Sequence, residues 1–160
     1  MTLAMTLASG GVLLLAAGHD IVSRTVPNWM SMLIALFGIA ASAAESRLMI
    51  SLGLGMTVFA VAAICWRRGW MGGADVKLLG AVSIVLPPAV LSTFAVAMSI
   101  AGAMHAIGYL CARRVVPVPR RPRPRGLLPR AMRAEQWRIS RGGPLPYACA
   151  IAAGFLFVLI

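Results

Sequence analysis

Long apolar runs alternate with short polar breaks along almost the whole chain. Thr2 to Gly18 is apolar or small throughout, has no basic stretch before it and stops at His19-Asp20. That pattern predicts a retained first membrane span in preference to a cleaved signal peptide. In the break that follows, Pro27 disfavours helix at Val26, and Asn28 is the predicted N-cap of a second span from Trp29 to about Ala44. Trp29 opens that span at the depth where indoles concentrate. Glu45-Ser46-Arg47 forms a polar turn into a third span, Leu48 to Trp66. After Arg67-Arg68-Gly69-Trp70, the stretch Val76 to Leu86 has room for about three turns, roughly 17 Å of helix, before Pro87-Pro88. A hydrocarbon core of about 30 Å is not crossed by that length, so the fourth span is expected to be short, tilted or kinked through the prolines. The fifth runs from Ala89 to Cys111 and the sixth from Pro144 to Ile160.

Residues 112–143 have a different character, with ten arginines interleaved with prolines. They predict a solvated or headgroup-bound loop with little reason to pack, in which Ala131 to Ile139 could form a turn or two of amphipathic helix. The expected fold is an all-α integral membrane protein, a six-span helical bundle with a short or kinked fourth span. Residues 1–160 form one membrane-embedded domain, and the 112–143 Arg/Pro-rich cytoplasmic loop lies within it. No internal repeat is evident.

Composition excludes a soluble globular domain. Of 160 residues, 60% are hydrophobic and 12% charged, and the mean hydropathy is +0.87; a soluble fold of this size cannot hide so much apolar surface. The net charge of +11 therefore reads as topology. Placing the Asp20 break, the 67–77 break and the arginine-rich loop on one side gathers 14 of the 15 basic residues there, all but Arg47. By the positive-inside rule that side is cytoplasmic, and six spans then put both termini outside. The loop carries no folded nucleic-acid module, so its expected partner is anionic lipid headgroups, at about 1 kcal/mol per residue near the surface. Cys65, Cys111 and Cys149 lie far apart without a CxxC pair, so neither a metal site nor a disulfide framework is predicted.

The acids are scarce: Asp20, Glu45, Asp75 and Glu135. An aspartate at a membrane boundary is a functional candidate. Gly72-Gly73-Ala74 before Asp75 removes bulk and lets a peptide backbone come close; the plainer reading is a glycine loop with Asp75 N-capping the fourth span. Asp20 and Asp75 both fall at the cytoplasmic boundary. Two carboxylates able to approach one another hold a single proton between them, and such a pair suits peptide hydrolysis by a water held between acid and base. Helix ends suggest Asp75, at an N-terminus, as base and Asp20, at a C-terminus, as proton donor.

Other polar residues admit two readings each. Lys77 either steadies Asp75 or snorkels at the boundary, and Arg24 pairs with Asp20 at i+4 or with a lipid phosphate. His19 is either a proton relay or simply solvated, and His105 is expected to make a polar contact between spans. A transporter or channel subunit, with acids carrying protons or cations, is the rival from another class. Against it, both acids sit on one face and no acid occupies the middle of a span.

Three stretches together resemble a known family: Asp20 with Arg24 and Pro27-Asn28; Gly72-Gly73-Ala74-Asp75-Val76-Lys77-Leu78-Leu79; and Pro144-Leu145-Pro146-Tyr147 with Ala150-Ile151-Ala152-Ala153-Gly154. In this order, over nearly the whole chain, they are similar to the type IV prepilin peptidases, intramembrane aspartyl proteases of the GxGD type. The short chain looks most like the compact branch that serves Flp-type pili. The resemblance implies Asp20 and Asp75 as the catalytic pair, with Gly72, Gly73, Ala74, Lys77, Arg24, Pro27, Asn28, Pro146 and Tyr147 shaping the site, and neither metal nor cofactor. It implies as substrate a prepilin with a short basic leader, cut at the cytoplasmic face of the bacterial inner membrane. The insert with paired CxxC motifs found in bifunctional members is missing, so N-methylation is not implied. Ala74 stands where the strict motif has glycine, which matters only if φ there is positive. A catalytically inactive pilus-assembly scaffold that keeps the same fold is the remaining alternative.

Overall fold

The computed structural model describes residues 2–119, 126–143 and 145–160. Pro144 and part of the arginine-rich loop, both named above, lie outside them. The described residues form seven α-helices and no strand: α1 (Thr2–Ser23), α2 (Asn28–Ala44), α3 (Leu48–Arg67), α4 (Gly73–Val85), α5 (Leu91–Val115), α6 (Leu127–Arg141) and α7 (Ala148–Phe157).

α4 is the centre of the bundle. Nine of its 13 residues are buried, so it is enclosed by protein where α3 and α5 bury only a few residues each and turn apolar side chains outward. It packs chiefly on α2 and α3, with α7 and α1 touching it more lightly, while α5 packs on α7. The prolines divide two helices and do not kink one. Leu86 is extended, Pro88–Val90 make a single 3₁₀ turn, and α5 begins at Leu91. α1, α3 and the 28 residues Pro88–Val115 have the length and apolarity to cross a membrane. α2 and α7 are shorter apolar helices and α4 is shorter than α2, so three of the six expected spans reach full crossing length.

The far end of α4 is closed by Arg47. Its Nη2 donates to the Val85 carbonyl at 2.8 Å and its Nη1 to those of Ile84 and Leu86 at 3.4 Å, with Ser51 Oγ at 2.7 Å and Glu45 at 2.6 Å completing its partners. A helix that stops inside an apolar bundle leaves carbonyls that water cannot reach, and a guanidinium fork meets that need. Buried serines satisfy themselves in the same spirit, as Ser9 does on the Met5 carbonyl at 2.9 Å and Ser83 on that of Leu79 at 2.8 Å.

Glycine sets the closest helix approaches. A Cβ on Gly38 would meet the Val85 backbone N at 2.9 Å, and one on Gly154 the Met98 backbone N at 2.8 Å, distances that no rotamer change relieves. Gly154→Val is expected to force α7 off α5 and destabilise the protein by about 1–3 kcal/mol or more. Gly53→Ala, inside α3 and meeting nothing within 4 Å, should hold or slightly raise the thermal unfolding midpoint in detergent, by up to about 1 kcal/mol of stability. Equal melting temperatures for the two variants would contradict this packing.

The arginine-rich loop packs more than its composition predicts. α6 is a 15-residue helix ended by Gly142 in the left-handed conformation at φ 68°, and it lies against α5 and α1. The expectation of a loop with little reason to pack is corrected for this segment. What composition hid was one carboxylate: Glu135 accepts from Arg24 beyond the end of α1, from the Tyr109 hydroxyl of α5 and from Arg138 of its own helix, and so ties the helix down.

Candidate active site

Asp20 lies in the last turn of α1 and Asp75 in the first turn of α4, and each is only 8% exposed. Antiparallel packing brings these helix ends to one end of the bundle, together with the starts of α2 and α7. There the Asp75 carboxylate feels the charge of Asp20. A backbone amide favours the charge of each carboxylate: that of Ala148, the first residue of α7, for Asp20, and that of Gly72 for Asp75.

Gly72, in extended conformation, is the N-cap of α4, and Asp75 is its N3 residue reaching back to the N-cap amide. Asp75 therefore stands inside the first turn of α4, close to the N-cap amide, and not at the N-cap position itself. Gly73 packs under Trp66, whose Nε1 would stand 3.3 Å from an added Cβ. Ala74 is helical and is not among the positive-φ residues, so its methyl group carries no backbone strain. Ala74→Gly is expected to loosen the start of α4 by up to about 1 kcal/mol without raising any cleavage rate; a faster and equally stable variant would contradict this.

The start of α7 links the two acids. Ala148 serves Asp20, Tyr147 feels the charge of Asp75, and Pro146 is fully buried beneath them. A Cβ on Gly102 of α5 would meet the Tyr147 ring at 3.1 Å, so that glycine makes room for it. A cleft of ≈ 570 Å³ opens beside Asp75, lined by Cys65, Trp70, Met71, Gly72, Leu79, Met98, Leu145 and Tyr147 among others, and Asp20 is not in its wall. Asp75 thus faces an apolar cleft that Asp20 does not line.

Several expectations change. The helix-end reasoning that made Asp20 the proton donor and Asp75 the base loses its force, because Asp20 also faces the N-terminus of α7. Asn28 is the first residue of α2, the N-cap is Pro27, and Asn28 Oδ1 accepts from Lys77 Nζ at 2.7 Å. Lys77 thereby ties α4 to α2 and has a protein partner in place of a bare snorkelling role. Arg24 pairs with Glu135 and not with Asp20: its Nη2 lies 2.6 Å from Glu135 Oε1. His19 Nδ1 contacts Ser23 Oγ at 2.8 Å and the Thr25 carbonyl. His105 stacks edge-on against Tyr109 of its own helix, with centroids 4.9 Å apart, and not across two spans.

Sequence reasoning counted Glu135 among the four acids but gave it no role. Burial pushes its carboxyl up, but hydrogen bonds from Tyr109, Arg138 and Arg24 and the charge of Arg24 outweigh that and hold it below the ordinary carboxylate range. It is therefore ionised at neutral pH. The apolar spacing within Ala131 to Ile139 and the glycine stop at 142 were the available signals for the helix that carries it. Among the described residues no group of three or more His, Cys, Asp or Glu side chains could hold a metal ion.

No curated protein and no solved structure matches the chain. The family model described as the type IV leader peptidase family does match, over residues 7–107, a stretch that starts in α1, ends in α5 and contains both buried aspartates. With well over half of its length covered and its apolar helices in the arrangement above, this chain belongs to the type IV leader peptidase family, a family of membrane-bound peptidases.

Proposed function

We infer that this protein is an aspartic prepilin leader peptidase, with Asp20 and Asp75 as its catalytic pair. The observation that carries the reading is that two of only four acids in the chain are buried at one end of the bundle, within electrostatic reach, one of them opening into an apolar cleft. Two such carboxylates share one proton near neutral pH. The ionised member takes a proton from a water held between them, and the protonated member donates a hydrogen bond to the scissile carbonyl. Water oxygen adds to the carbonyl carbon, the C–N bond of the resulting tetrahedral species breaks, and the amine leaves with a proton from the pair. Each turnover consumes one water and returns the pair to its starting protonation. A coupled pair owns its proton jointly, so the two carboxylates are treated as a unit.

The substrate of this reading is a prepilin of the Flp type, its basic leader on the cytoplasmic side and its apolar segment beside the cleft. The site then lies at the cytoplasmic face of the inner membrane, since Arg67, Arg68, Lys77, Arg113, Arg114 and α6 share its end of the bundle and Arg47 sits at the other. The six-span arrangement belongs to the same proposal, with α2, α4 and α7 as short or enclosed segments beside the three full-length helices. Anionic headgroups are the proposed partner of the basic rim. Proteoliposomes of the purified chain incubated with a leader-bearing prepilin should yield the shortened pilin and the free leader by mass spectrometry. Intact prepilin after long incubation would instead favour a transporter or an inactive scaffold.

A further inference from the structure

Glu135 is the one acid at this end of the bundle that the reaction leaves without a part. On α6 it receives three donors: Arg24 Nη2 from the connection after α1 at 2.6 Å, the Tyr109 hydroxyl of α5, and Arg138 Nη1 of its own helix at 3.1 Å. Arg138 also reaches the last carbonyls of α1, Ile21 at 3.0 Å and Val22 at 3.5 Å. α6 therefore closes over the end of the helix that carries Asp20, and it lies outside the stretch that matches the family.

The state of Arg24 gives this contact its meaning. Arg24 follows α1 with φ 56°, a left-handed conformation that favours glycine. Its side chain is 13% exposed, and its Nε and Nη1 are buried with no hydrogen-bond partner. Asp20 stands four residues earlier, within electrostatic reach, and forms no ion pair among the described residues. A carboxylate and a guanidinium at i, i+4 ordinarily find each other, and buried unpaired donors call for an explanation. Here Glu135, with Tyr109 beside it, occupies the guanidinium from the other side. An arginine paired with Asp20 would fix that carboxylate as a charged acceptor and remove it from the sharing of a proton.

We propose that Glu135 is a positioning residue that holds the Arg24 guanidinium away from Asp20 and so keeps Asp20 available to the catalytic pair. The proposal rests on the peptidase reading. The charged and titratable groups that face Asp20 are Arg24, Arg138, Glu135, Asp75 and the Cys149 thiol, and of these only Arg24 is a buried cation with donors to spare.

The test uses the full chain in proteoliposomes with a leader-bearing prepilin, comparing wild type, Glu135→Gln and the double variant Arg24→Gln/Glu135→Gln. Glu135→Gln keeps the shape of the side chain and removes its charge, which frees Arg24 to turn to Asp20. The expected result is a fall in kcat of about tenfold or more with KM unchanged, and an alkaline limb of the rate-versus-pH profile displaced to lower pH. The double variant, with no cation left to compete, is expected to recover most of kcat and return the limb to its place. The limb position does not depend on how much protein is folded, so it separates positioning from docking of α6. Wild type that cleaves beside a Glu135→Gln variant of unchanged kcat and pH profile overturns this proposal alone. Equal losses in the single and double variants, or failure of Glu135→Gln to accumulate as folded protein, assign Glu135 to holding α6 and also overturn it. Wild type that does not cleave removes the peptidase reading and this proposal together.

Discussion

Replacing Asp20 or Asp75 with asparagine is expected to abolish prepilin cleavage, each by at least about 10²–10⁴-fold, the range ascribed to a single acid or base. Asparagine is nearly isosteric but can neither take a proton from water nor give one to the leaving amine. The two losses should not add, because a pair that shares one proton fails as a unit when either member is lost. Folding should survive. Asparagine keeps an oxygen able to accept the Ala148 N–H at position 20 and the Gly72 N–H at position 75. Near-wild-type melting in detergent, with no product from either single variant or the double, is the expected pattern. A folded Asp20→Asn protein cleaving at the rate of wild type would end the assignment, and one that also assembles pili would point to a scaffold.

The second large effect lies at the other end of α4. Arg47→Ala removes the donors that serve the carbonyls of Ile84, Val85 and Leu86 and leaves Glu45 without its partner. Charge-assisted hydrogen bonds contribute about 1.5–3 kcal/mol apiece. Glu45 is partly exposed, so its share is screened, and a total of about 2–4 kcal/mol is the expected loss of stability. Arg47→Lys retains the charge but presents one ammonium in place of a fork, and should fall between. Asp75 lies ten residues up the helix, roughly 15 Å away. The damage should therefore appear as a lower unfolding midpoint, with activity per folded molecule little changed. An unfolding midpoint of Arg47→Ala equal to that of wild type would mean that these carbonyls have other partners.

Much of this molecule is legible in one dimension because a bilayer imposes few choices on a chain. Apolar runs must become helices, since backbone groups in hydrocarbon have no other partner, and helix starts and stops fall within a few residues of the polar breaks and prolines. Asp20 and Asp75 stood out for the same reason: ionisable groups at the edge of apolar helices are expensive and few. Membership in the type IV leader peptidase family was likewise carried by local motifs, which need no third dimension.

What the sequence left open depends on which helix ends meet, and that is a property of the packed bundle. Helical period and capping preference mark Asp20 as the end of a helix; they do not say that the start of α7 will be placed before it, so helix ends alone do not divide acid from base between the two aspartates. Charge counting marked 112–143 as basic and missed that a single carboxylate, Glu135, would gather Arg24, Arg138 and Tyr109 around itself. Arg47 read as a topological marker and proved to cap helix carbonyls 37 to 39 residues away in sequence. In each case the deciding partner is distant along the chain, and a polar group buried in an apolar bundle takes whichever partner the fold brings within reach. Local sequence fixes the elements and the scarce charges, and tertiary contact assigns those charges their work.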